Sequence, residues 1–434
     1  MFFERPDSGE RVIIVHLDLS HESEREDPRE FEELVLSAGG DPVSFIRGQR
    51  TTPHPRYFVG SGKLDEIRAQ IHQHEADVVL FNHNLSPSQE RNLEGALKCR
   101  VLDRTGLILD IFAQRARTHE GKLQVELAQL QHMSTRLVRG WTHLERQKGG
   151  IGLRGGPGEK QLESDRRLLR ERIKSISLRL DKVRRQREQG RRARRRADIP
   201  TVSLVGYTNA GKSTLFNALT QSGVYTADQL FATLDPTFRR ITIPDLGPVV
   251  LADTVGFIRH LPHKLIEAFR ATLEEAAQSD LLIHVIDCAD DERADNIKQV
   301  EAVLKEIGAD KIPRLDVYNK VDLINKEPCI DRGQDTVIQR VWLSAQQSDG
   351  LSLLLQGVME HLGKDMLHGT LPLSYAQGRL RASFYRQGVV LSERYTEQGG
   401  VELEIRIPKL DFCRLVRAEH LVPEKMLVDI KPCH

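Results

Sequence analysis

The chain lacks an excess of charge of either sign, a cysteine framework and a long apolar run. Its 63 Lys and Arg against 62 Asp and Glu leave a net charge of +1, which excludes a uniformly basic wrapper of nucleic acid. The five cysteines form no C-x-x-C pair, so we expect reduced thiols rather than disulfides or a zinc site. No run approaches the ~18 apolar residues of a membrane helix, and the first residues lack a signal peptide's apolar core. We therefore expect a cytoplasmic protein without a membrane span.

Aromatic residues are also few, at 5% of the chain, but 39% hydrophobic and 29% charged residues are typical of a globular protein. A length of 434 residues exceeds one compact domain of ~100 to 200 residues. We expect several domains, and four segments differ in pattern.

The first segment, 1–117, alternates apolar strands with amphipathic helices. The predicted elements are 11–19, 28–38, 43–47, 63–74, 77–82, 86–98 and 100–103. This alternation predicts a small α/β domain with a mainly parallel sheet. Within it, Gly60-Ser61-Gly62-Lys63 is either an ordinary helix start or an anion-binding one, although it lacks the full spacing of a phosphate loop.

The second segment, 118–197, carries two heptad runs. Their apolar positions are Leu123, Leu127, Leu130, Ser134, Leu137, Trp141 and Leu144, then Leu162, Leu169, Ile173, Ile176, Leu180 and Val183. Between them, 149–158 contains six glycines, which no helix would favour. The pattern predicts an antiparallel helical hairpin with a glycine-rich tip; a bare linker is the alternative.

A strongly basic run lies on the second arm. From Arg166 to Arg196 there are fifteen Lys or Arg and three acids, a net of +12 that leaves −11 for the rest of the chain. Such a run is either a solvated face or a phosphate-binding surface. Its single sign and arginine content favour contact with a nucleic-acid backbone. We expect the tip to enter an RNA-walled site while this run binds phosphates nearby.

The third segment, 198–366, contains a phosphate-loop motif. An apolar strand, 201–205, leads into G-x-x-x-x-G-K-S at 206–213, and a helical stretch follows. The glycines allow backbone N–H groups to surround the phosphates, Lys212 bridges the outer two, and the Ser213 hydroxyl ligates Mg²⁺.

Guanine selection is predicted from Asn319-Lys320-Val321-Asp322, which follows the strand-like 315–318. Ligands bind at the carboxyl ends of strands in open α/β sheets. A fixed Asp322 carboxylate can accept two hydrogen bonds from guanine, whereas adenine offers no such donors. Ser344-Ala345 would support the base through backbone N–H. Because Arg314 and Asp316 are charged, we expect the strand to be partly exposed.

Two further motifs lie between these. The apolar stretch 249–252 ends in D-x-x-G, where Asp253 would hold Mg²⁺ through water and the Gly256 N–H would face the γ-phosphate. In the loop before it, a threonine would complete the Mg²⁺ coordination. Thr233 is the first choice and Thr237 the alternative.

We expect Lys212, Gly256 and Thr233 to take part in catalysis, and Ser213 and Thr233 to bind the metal. The residues expected at the nucleotide are Gly206, Tyr207, Thr208, Asn209, Ala210, Gly211, Lys212, Ser213, Thr214, Phe231, Ala232, Thr233, Leu234, Asp235, Asp253, Thr254, Val255, Gly256, Asn319, Lys320, Val321, Asp322, Ser344, Ala345 and Gln346.

The order of these motifs resembles the Obg/HflX family of ribosome-associated GTPases, and with the first two segments the resemblance covers essentially the whole chain. It implies a P-loop G domain and a cytosolic GTPase that binds the large (50S) ribosomal subunit and its rRNA and dissociates stalled or idle ribosomes under stress. It also implies a monomer, and some members are reported to bind ATP. The tip departs from the family pattern at Lys160, where threonine is usual.

Hydrolysis by the free protein is expected to be slow and accelerated by the ribosome. The position after D-x-x-G, where many GTPases carry a water-orienting glutamine, is Phe257. Asn209 matches the asparagine with which potassium-activated relatives hold a monovalent cation, so K⁺ is a candidate second cofactor. A loop-bracing role for Asn209 is the alternative.

The last segment, 367–434, has strand-like 389–391 and 401–407 and a helical 410–417, which predict a small α+β domain without an assignable motif. Alternative functions are a GTPase in ribosome assembly, tRNA modification or membrane-transport regulation, and an ATP-dependent RNA remodeller. The absence of a C-terminal catalytic cysteine motif weakens tRNA modification, and the absence of a membrane span weakens membrane-transport regulation. The absence of a second phosphate loop weakens the ATP-dependent RNA remodeller.

Overall fold

The structure is a computed structural model. It describes residues 9–19, 27–140, 157–196, 199–220, 230–231, 233–244, 246–259, 275–333, 337–363, 366–396, 400–419, 421, 426 and 430–432. Ala232 and positions 149–156 of the predicted glycine tip lie outside these residues.

The N-terminal domain has four parallel strands in the order β2-β1-β3-β4, so the predicted α/β sheet is confirmed. The strands are β1 (Arg11–Leu19), β2 (Asp41–Arg50), β3 (Val78–Phe81) and β4 (Arg100–Asp103). The helices are α1 (Pro28–Ser37), α2 (Ser61–His74), α3 (Pro87–Leu97) and α4 (Arg104–Arg115). Helix α4 was not predicted. Its residues are buried on several sides, so its sequence lacks the alternation of apolar and polar faces that identifies an amphipathic helix.

The Gly60-to-Lys63 segment is the start of α2, with Gly60 as its N-cap. The Lys63 ammonium donates to the Arg47 carbonyl at 2.8 Å and pairs with Glu66 at 2.7 Å. The Lys63 ammonium is therefore already bonded to protein groups, which favours an ordinary helix start over an anion-binding one.

Two long helices follow, α5 (His119–Gly140) and α6 (Pro157–Arg196). They pack through a small apolar cluster of Leu123, Leu127, Leu130, Ile173, Ile176 and Leu180, all from the two heptad runs. Since earlier residues of α5 meet later residues of α6, the helices run antiparallel. Helix α6 begins at Pro157, inside the last two positions of the predicted tip.

The G domain is a seven-stranded sheet in the order β10-β11-β9-β8-β5-β7-β6, in which only the edge pairs β6·β7 and β10·β11 are antiparallel. Its strands are β5 (Thr201–Gly206), β6 (Thr237–Ile243), β7 (Gly247–Asp253), β8 (Leu281–Asp287), β9 (Arg314–Asn319), β10 (Cys329–Arg332) and β11 (Ile338–Trp342). Its helices are α7 (Lys212–Thr220), α8 (Arg293–Glu306) and α9 (Leu351–Leu362). The predicted mainly parallel P-loop fold is confirmed.

The charged residues of β9 are half-buried. Arg314 pairs with Asp316 at 2.9 Å and with Glu301 of α8 at 2.8 Å. The strand thus tolerates both charges because each has an opposite charge beside it.

The C-terminal domain has an antiparallel sheet in the order β13-β14-β12-β15. Its elements are β12 (Met366–Ser374), α10 (Gly378–Gln387), β13 (Val390–Tyr395), β14 (Gly400–Pro408), α11 (Lys409–Ala418) and β15 (Ile430–Pro432). The predicted α+β class is confirmed, and β12, β15 and α10 are additional elements. Within the described ranges, no helix combines the length and apolar character needed to cross a membrane.

One apolar core joins the N-terminal domain to the G domain. Phe31, Ile108 and Phe112 of the N-terminal domain share it with Leu230, Phe231, Leu234, Val255 and Ile258 of the G domain. The last five lie in or beside the segment around Thr233 and the D-x-x-G motif. The N-terminal domain therefore packs directly against both segments.

Candidate functional site

The phosphate loop connects β5 to α7 in a backbone form that requires glycine. Gly206 has a φ of +150° and Gly211 a φ of +90°. A Cβ on Gly206 would overlap the Val285 carbonyl, and one on Gly211 would overlap the Asn319 side-chain amide. Close approach from the neighbouring strand β8 and from Asn319 at the end of β9 thus explains both glycines.

Lys212 is the first residue of α7 and is buried. Its ammonium donates to the Tyr207 carbonyl at 2.5 Å. Burial lowers its pKa to about 8, against the opposing effect of the Asp253 carboxylate. An anion placed in this loop would favour the charged lysine, so the site is suited to phosphate.

Three oxygen ligands converge at the mouth of the loop. The Ser213 hydroxyl lies 2.8 Å from that of Thr233 and 2.7 Å from the Asp253 carboxylate, and Thr233 donates to Asp253 at 3.2 Å. Burial raises the pKa of Asp253, while hydrogen bonds and Lys212 oppose that rise. The Asp253 Oδ1 atom is buried without a hydrogen-bond partner among the described residues. This all-oxygen set fits a hard cation such as Mg²⁺.

The D-x-x-G segment returns past the phosphate loop. Thr208 N donates to the Phe257 carbonyl at 2.7 Å, and Phe257 N donates to the Gly206 carbonyl at 3.1 Å. A Cβ on Gly256 would lie 3.0 Å from Thr208 Cα and 3.1 Å from the Lys212 ammonium. Gly256 therefore lies beside Lys212, where the outermost phosphate would be expected, and a larger residue would crowd that space.

The Phe257 ring is 2% exposed and packs with Val205, Leu282 and Val300. It is part of the core beneath the loop rather than of the pocket wall. The side chain at this position therefore cannot form a hydrogen bond with an attacking water.

Asn319 links two loops around the base site. Its side-chain amide donates to the Ala210 carbonyl at 2.9 Å, and its carbonyl accepts from Ala345 N at 2.9 Å. Lys320 has a φ of +66° and pairs with Asp287 at 2.6 Å. Asn319 thus fixes the phosphate loop and the Ser344-Ala345 loop relative to each other.

Asp322 follows in a short 3₁₀ helix, Val321–Ile324. Its Oδ1 is buried and has no hydrogen-bond partner within the part of the chain that is described. A buried carboxylate oxygen left in this state is costly. A base that offers N–H groups, as guanine does, would satisfy it.

Several residues expected at the nucleotide use their side chains elsewhere. Phe231 stacks edge-on against Phe112 with ring centres 4.7 Å apart, and Leu234 and Val255 pack in the same shared core. The Thr254 hydroxyl donates to the Leu204 carbonyl at 2.6 Å. These residues hold the loops in place, so any contact they make with the nucleotide would come from their backbones.

A buried polar network beside the loop was not found from the sequence. The Tyr207 hydroxyl donates to Glu30 at 2.5 Å and accepts from Arg259 N at 3.0 Å. Arg104 donates to Glu30 at 3.0 Å and to the Arg259 carbonyl at 3.3 Å. Burial, with the nearby Glu30, raises the pKa of Tyr207. Glu30 lies 177 positions before Tyr207, and no local pattern indicates that pairing.

Comparison with known families identifies three matching regions of the chain. Three protein-family models match it: "GTP-binding GTPase N-terminal" over residues 25–113, "GTP-binding GTPase Middle Region" over 115–194, and "50S ribosome-binding GTPase" over 201–320. Together they cover the N-terminal domain, the two long helices and most of the G domain.

Individual relatives are similar over most of their length. The curated GTPase HflX of Escherichia coli (strain K12) is 59% identical over 96% of this chain and 98% of its own. That of Magnetococcus marinus is 49% identical over 79% of each chain. Among solved structures, a GTP-binding protein from the hyperthermophilic archaeon Sulfolobus solfataricus in complex with GDP is 25% identical, with a TM-score of 0.44, over 80% of this chain and 98% of that one.

Proposed function

Because the chain belongs to the HflX family of GTPases and carries a ribosome-binding GTPase domain, we propose that it binds the large (50S) ribosomal subunit in the cytoplasm. There it uses GTP binding and hydrolysis to dissociate stalled or idle ribosomes, particularly under stress. The observation that carries this proposal is that one chain joins the phosphate-loop, D-x-x-G and Asn319-to-Asp322 motifs to a pair of long antiparallel helices, of which α6 is strongly basic. Such a chain can couple a nucleotide to RNA.

In this proposal, the phosphate loop holds GTP, and Lys212 bridges the outer phosphates. Ser213 and Thr233 would be the protein ligands of Mg²⁺, and Asp253 would hold the ion through water. When bound, Mg²⁺ neutralises negative charge that develops on the transferred phosphoryl group. The Gly256 N–H faces the γ-phosphate. The three converging oxygens described above and the unpaired Asp253 Oδ1 support this assignment.

The base is recognised by Asp322. Its unpaired, buried oxygen supports a role as acceptor for the guanine N1–H and amino group. Asn319 keeps its bracing contacts, and the Ser344-Ala345-Gln346 loop closes over the base edge. Adenine would leave the carboxylate unpaired, so the central site selects GTP over ATP.

The rRNA-binding surface in this proposal is helix α6. Its exposed basic residues within the described side chains are Arg167, Arg170, Arg172, Lys174, Arg179, Lys182, Arg184 and Arg185. They would contact phosphates, because the helix carries no aromatic motif that would stack on bases. The glycine-rich tip, 149–158, would approach the RNA most closely. Its positions 149–156 lie outside the described residues.

The test is co-sedimentation of the full chain with large subunits in a sucrose gradient. We expect co-migration with a non-hydrolysable GTP analogue and much less with GDP, together with GTP-dependent splitting of 70S particles. Failure to migrate with the subunit in either state would refute the proposal.

A matched pair of variants tests the basic surface. Replacing Arg170 and Lys174 by alanine removes two exposed charges one helical turn apart, whereas replacing Lys305 and Lys311 removes two from the α8 side of the G domain. Each lost phosphate contact should reduce the slope of log affinity against log salt by ~0.7 to 0.9. We expect a reduction near twice that in the α6 variant and none in the control. Equal slopes would exclude α6 from the RNA contact.

A further inference from the structure

Asp235, two residues after Thr233, completes the start of helix α5. Its carboxylate accepts from Arg117 N at 2.9 Å, from Thr118 N at 2.8 Å and from the Thr118 hydroxyl at 2.5 Å. These donors belong to the two residues immediately before α5, the first helix of the hairpin. A residue of the metal-binding loop is thereby attached to a helix 117 positions earlier in the chain.

The arrangement is a helix capping box supplied from a distance. Thr118 is the N-cap of α5, because its hydroxyl accepts from Gly121 N at 2.9 Å. In an ordinary capping box, a Glu or Gln at the third helical position returns a bond to the N-cap N–H. Here that position is Gly121, which has no side chain, and Asp235 makes the bond instead. A Cβ on Gly121 would overlap the Asp235 carboxylate.

The residues on either side of Thr233 are also held by the N-terminal domain. Phe231 and Leu234 are buried in the shared core, and Leu230 N donates to the Ser37 hydroxyl at 3.0 Å. Phe231 adopts a left-handed φ of +56°, which a bulky residue rarely takes without tertiary support. Thr233 is thus bracketed by fixed points on both sides.

We propose that Asp235 is a positioning residue for GTP hydrolysis, which holds Thr233 at the Mg²⁺ site by capping α5. The inference rests on the proposed role of Thr233 as a Mg²⁺ ligand. It implies that GTP binding, which draws Thr233 to the metal, strengthens the Asp235 bonds to the hairpin. By reciprocity, a partner that moves the hairpin would change the affinity for GTP.

A second contact at the hairpin base supports this coupling. Arg187 of α6 pairs with Glu120 at 2.7 Å and lies 3.8 Å from Glu275 of the G domain. Glu120 directly follows the capped start of α5. Both arms of the hairpin are therefore attached beside the metal-binding loop.

The experiment compares the affinities of the full-length chain for GDP and for the GTP analogue GMPPNP, both with Mg²⁺, by fluorescence of labelled nucleotides. Asp235→Ala should weaken GMPPNP binding on the order of tenfold relative to GDP, since loss of a cap is of that size. Asp235→Asn, which keeps an acceptor without the charge, should give an intermediate loss. GDP affinity should not change, because only the triphosphate state requires Thr233 at the metal.

Gly121→Glu separates positioning from helix stability. The new side chain can cap α5 locally while it displaces Asp235, so the melting temperature should be retained and the GMPPNP preference should still fall. Gly95→Glu adds the same charge in helix α3 at a position with open space around it, and it should behave as the unmodified protein.

Equal losses for GDP and GMPPNP in Asp235→Ala, or an unchanged preference in Gly121→Glu, would mean that Asp235 only stabilises α5 and would overturn the inference. Thr233→Ala tests the premise separately. If it leaves GMPPNP affinity intact, the proposed metal ligand is wrong. If it weakens that affinity while Asp235→Ala does not, only the positioning role fails.

Discussion

The Tyr207 hydroxyl lies 2.5 Å from the Glu30 carboxylate and joins the phosphate loop to the first helix of the N-terminal domain. The same hydroxyl accepts from Arg259 N in the loop that follows D-x-x-G. One side chain therefore connects three parts of the molecule that are distant in the sequence. The connection lies beside the phosphate loop, where we expect the nucleotide to bind.

Tyr207→Phe should destabilise the protein by about 1–3 kcal/mol, because it removes one hydrogen bond from the buried Glu30, which keeps Arg104, and one from the Arg259 N–H. The midpoint of denaturant unfolding measures the effect. Tyr375→Phe is the matched control, since that tyrosine is 74% exposed. A shift no larger than that of the control would mean that water replaces the lost hydroxyl without cost.

Asp322→Asn should weaken GTP binding by about tenfold to a hundredfold and favour xanthosine triphosphate. Xanthine carries an acceptor where guanine carries its amino group, and asparagine can donate to it. Competition binding with both nucleotides gives the ratio. The exposed Asp310→Asn should leave that ratio unchanged. An unaltered preference for GTP in Asp322→Asn would refute the assignment of the base site.

Single-turnover GTP hydrolysis by the isolated protein should be slow and should increase with large subunits. The buried Phe257 cannot orient water, and an arginine finger in other GTPases contributes ~10³ to 10⁵ in rate. If Asn209 holds a monovalent cation that supplies part of this charge, hydrolysis should be faster in K⁺ than in Na⁺, and Asn209→Ala should abolish the difference. Fast turnover in sodium buffer without ribosomes would contradict both expectations.

Stability should decrease as pH rises between about 4.5 and 7 because of Glu90. Burial, with Asp103 and Glu94 nearby, raises its pKa from 4.5 to about 7, although Arg136 lies 2.7 Å away. The folded state then holds a proton that the unfolded state releases, so this contribution is present at low pH and is lost as pH rises through the folded value.

Glu90→Gln removes this titration. The free energy of unfolding of the variant relative to that of the unmodified protein should therefore increase from pH 5.5 to pH 8, by about 1–2 kcal/mol after allowance for solvent screening, as measured by denaturant unfolding at each pH. Glu66→Gln, at an exposed position of α2, should show no such trend. Parallel pH profiles for Glu90→Gln and the unmodified protein would show that Glu90 does not titrate in this range.

Much of the G domain and the hairpin could be predicted from the sequence, because both depend on local constraints. The phosphate loop is marked by glycines at positions whose φ values and close contacts exclude other residues, as Gly211 illustrates. The heptad spacing likewise identified Leu127 and Ile176, which meet between α5 and α6. Motif order then assigned Asp322 to the base before any distance was known.

Other elements carried too weak a local pattern. Helix α4 is buried on several sides, so its apolar residues form no single stripe. Strands β12 and β15 and helix α10 were also missed. The partners of Arg314 and Asp316 could be identified only from the packing of β9 beside α8.

The sequence by itself determined the fold class, the nucleotide motifs and the concentration of basic residues on one arm. Only the tertiary structure decided that Asp235 caps α5 in place of a side chain at Gly121 and that Tyr207 bonds to Glu30. The physical reason is that backbone sterics and side-chain periodicity act over a few residues and leave a readable pattern. A contact across more than a hundred residues depends on which surfaces pack together, and neither partner's neighbours in the chain record that choice.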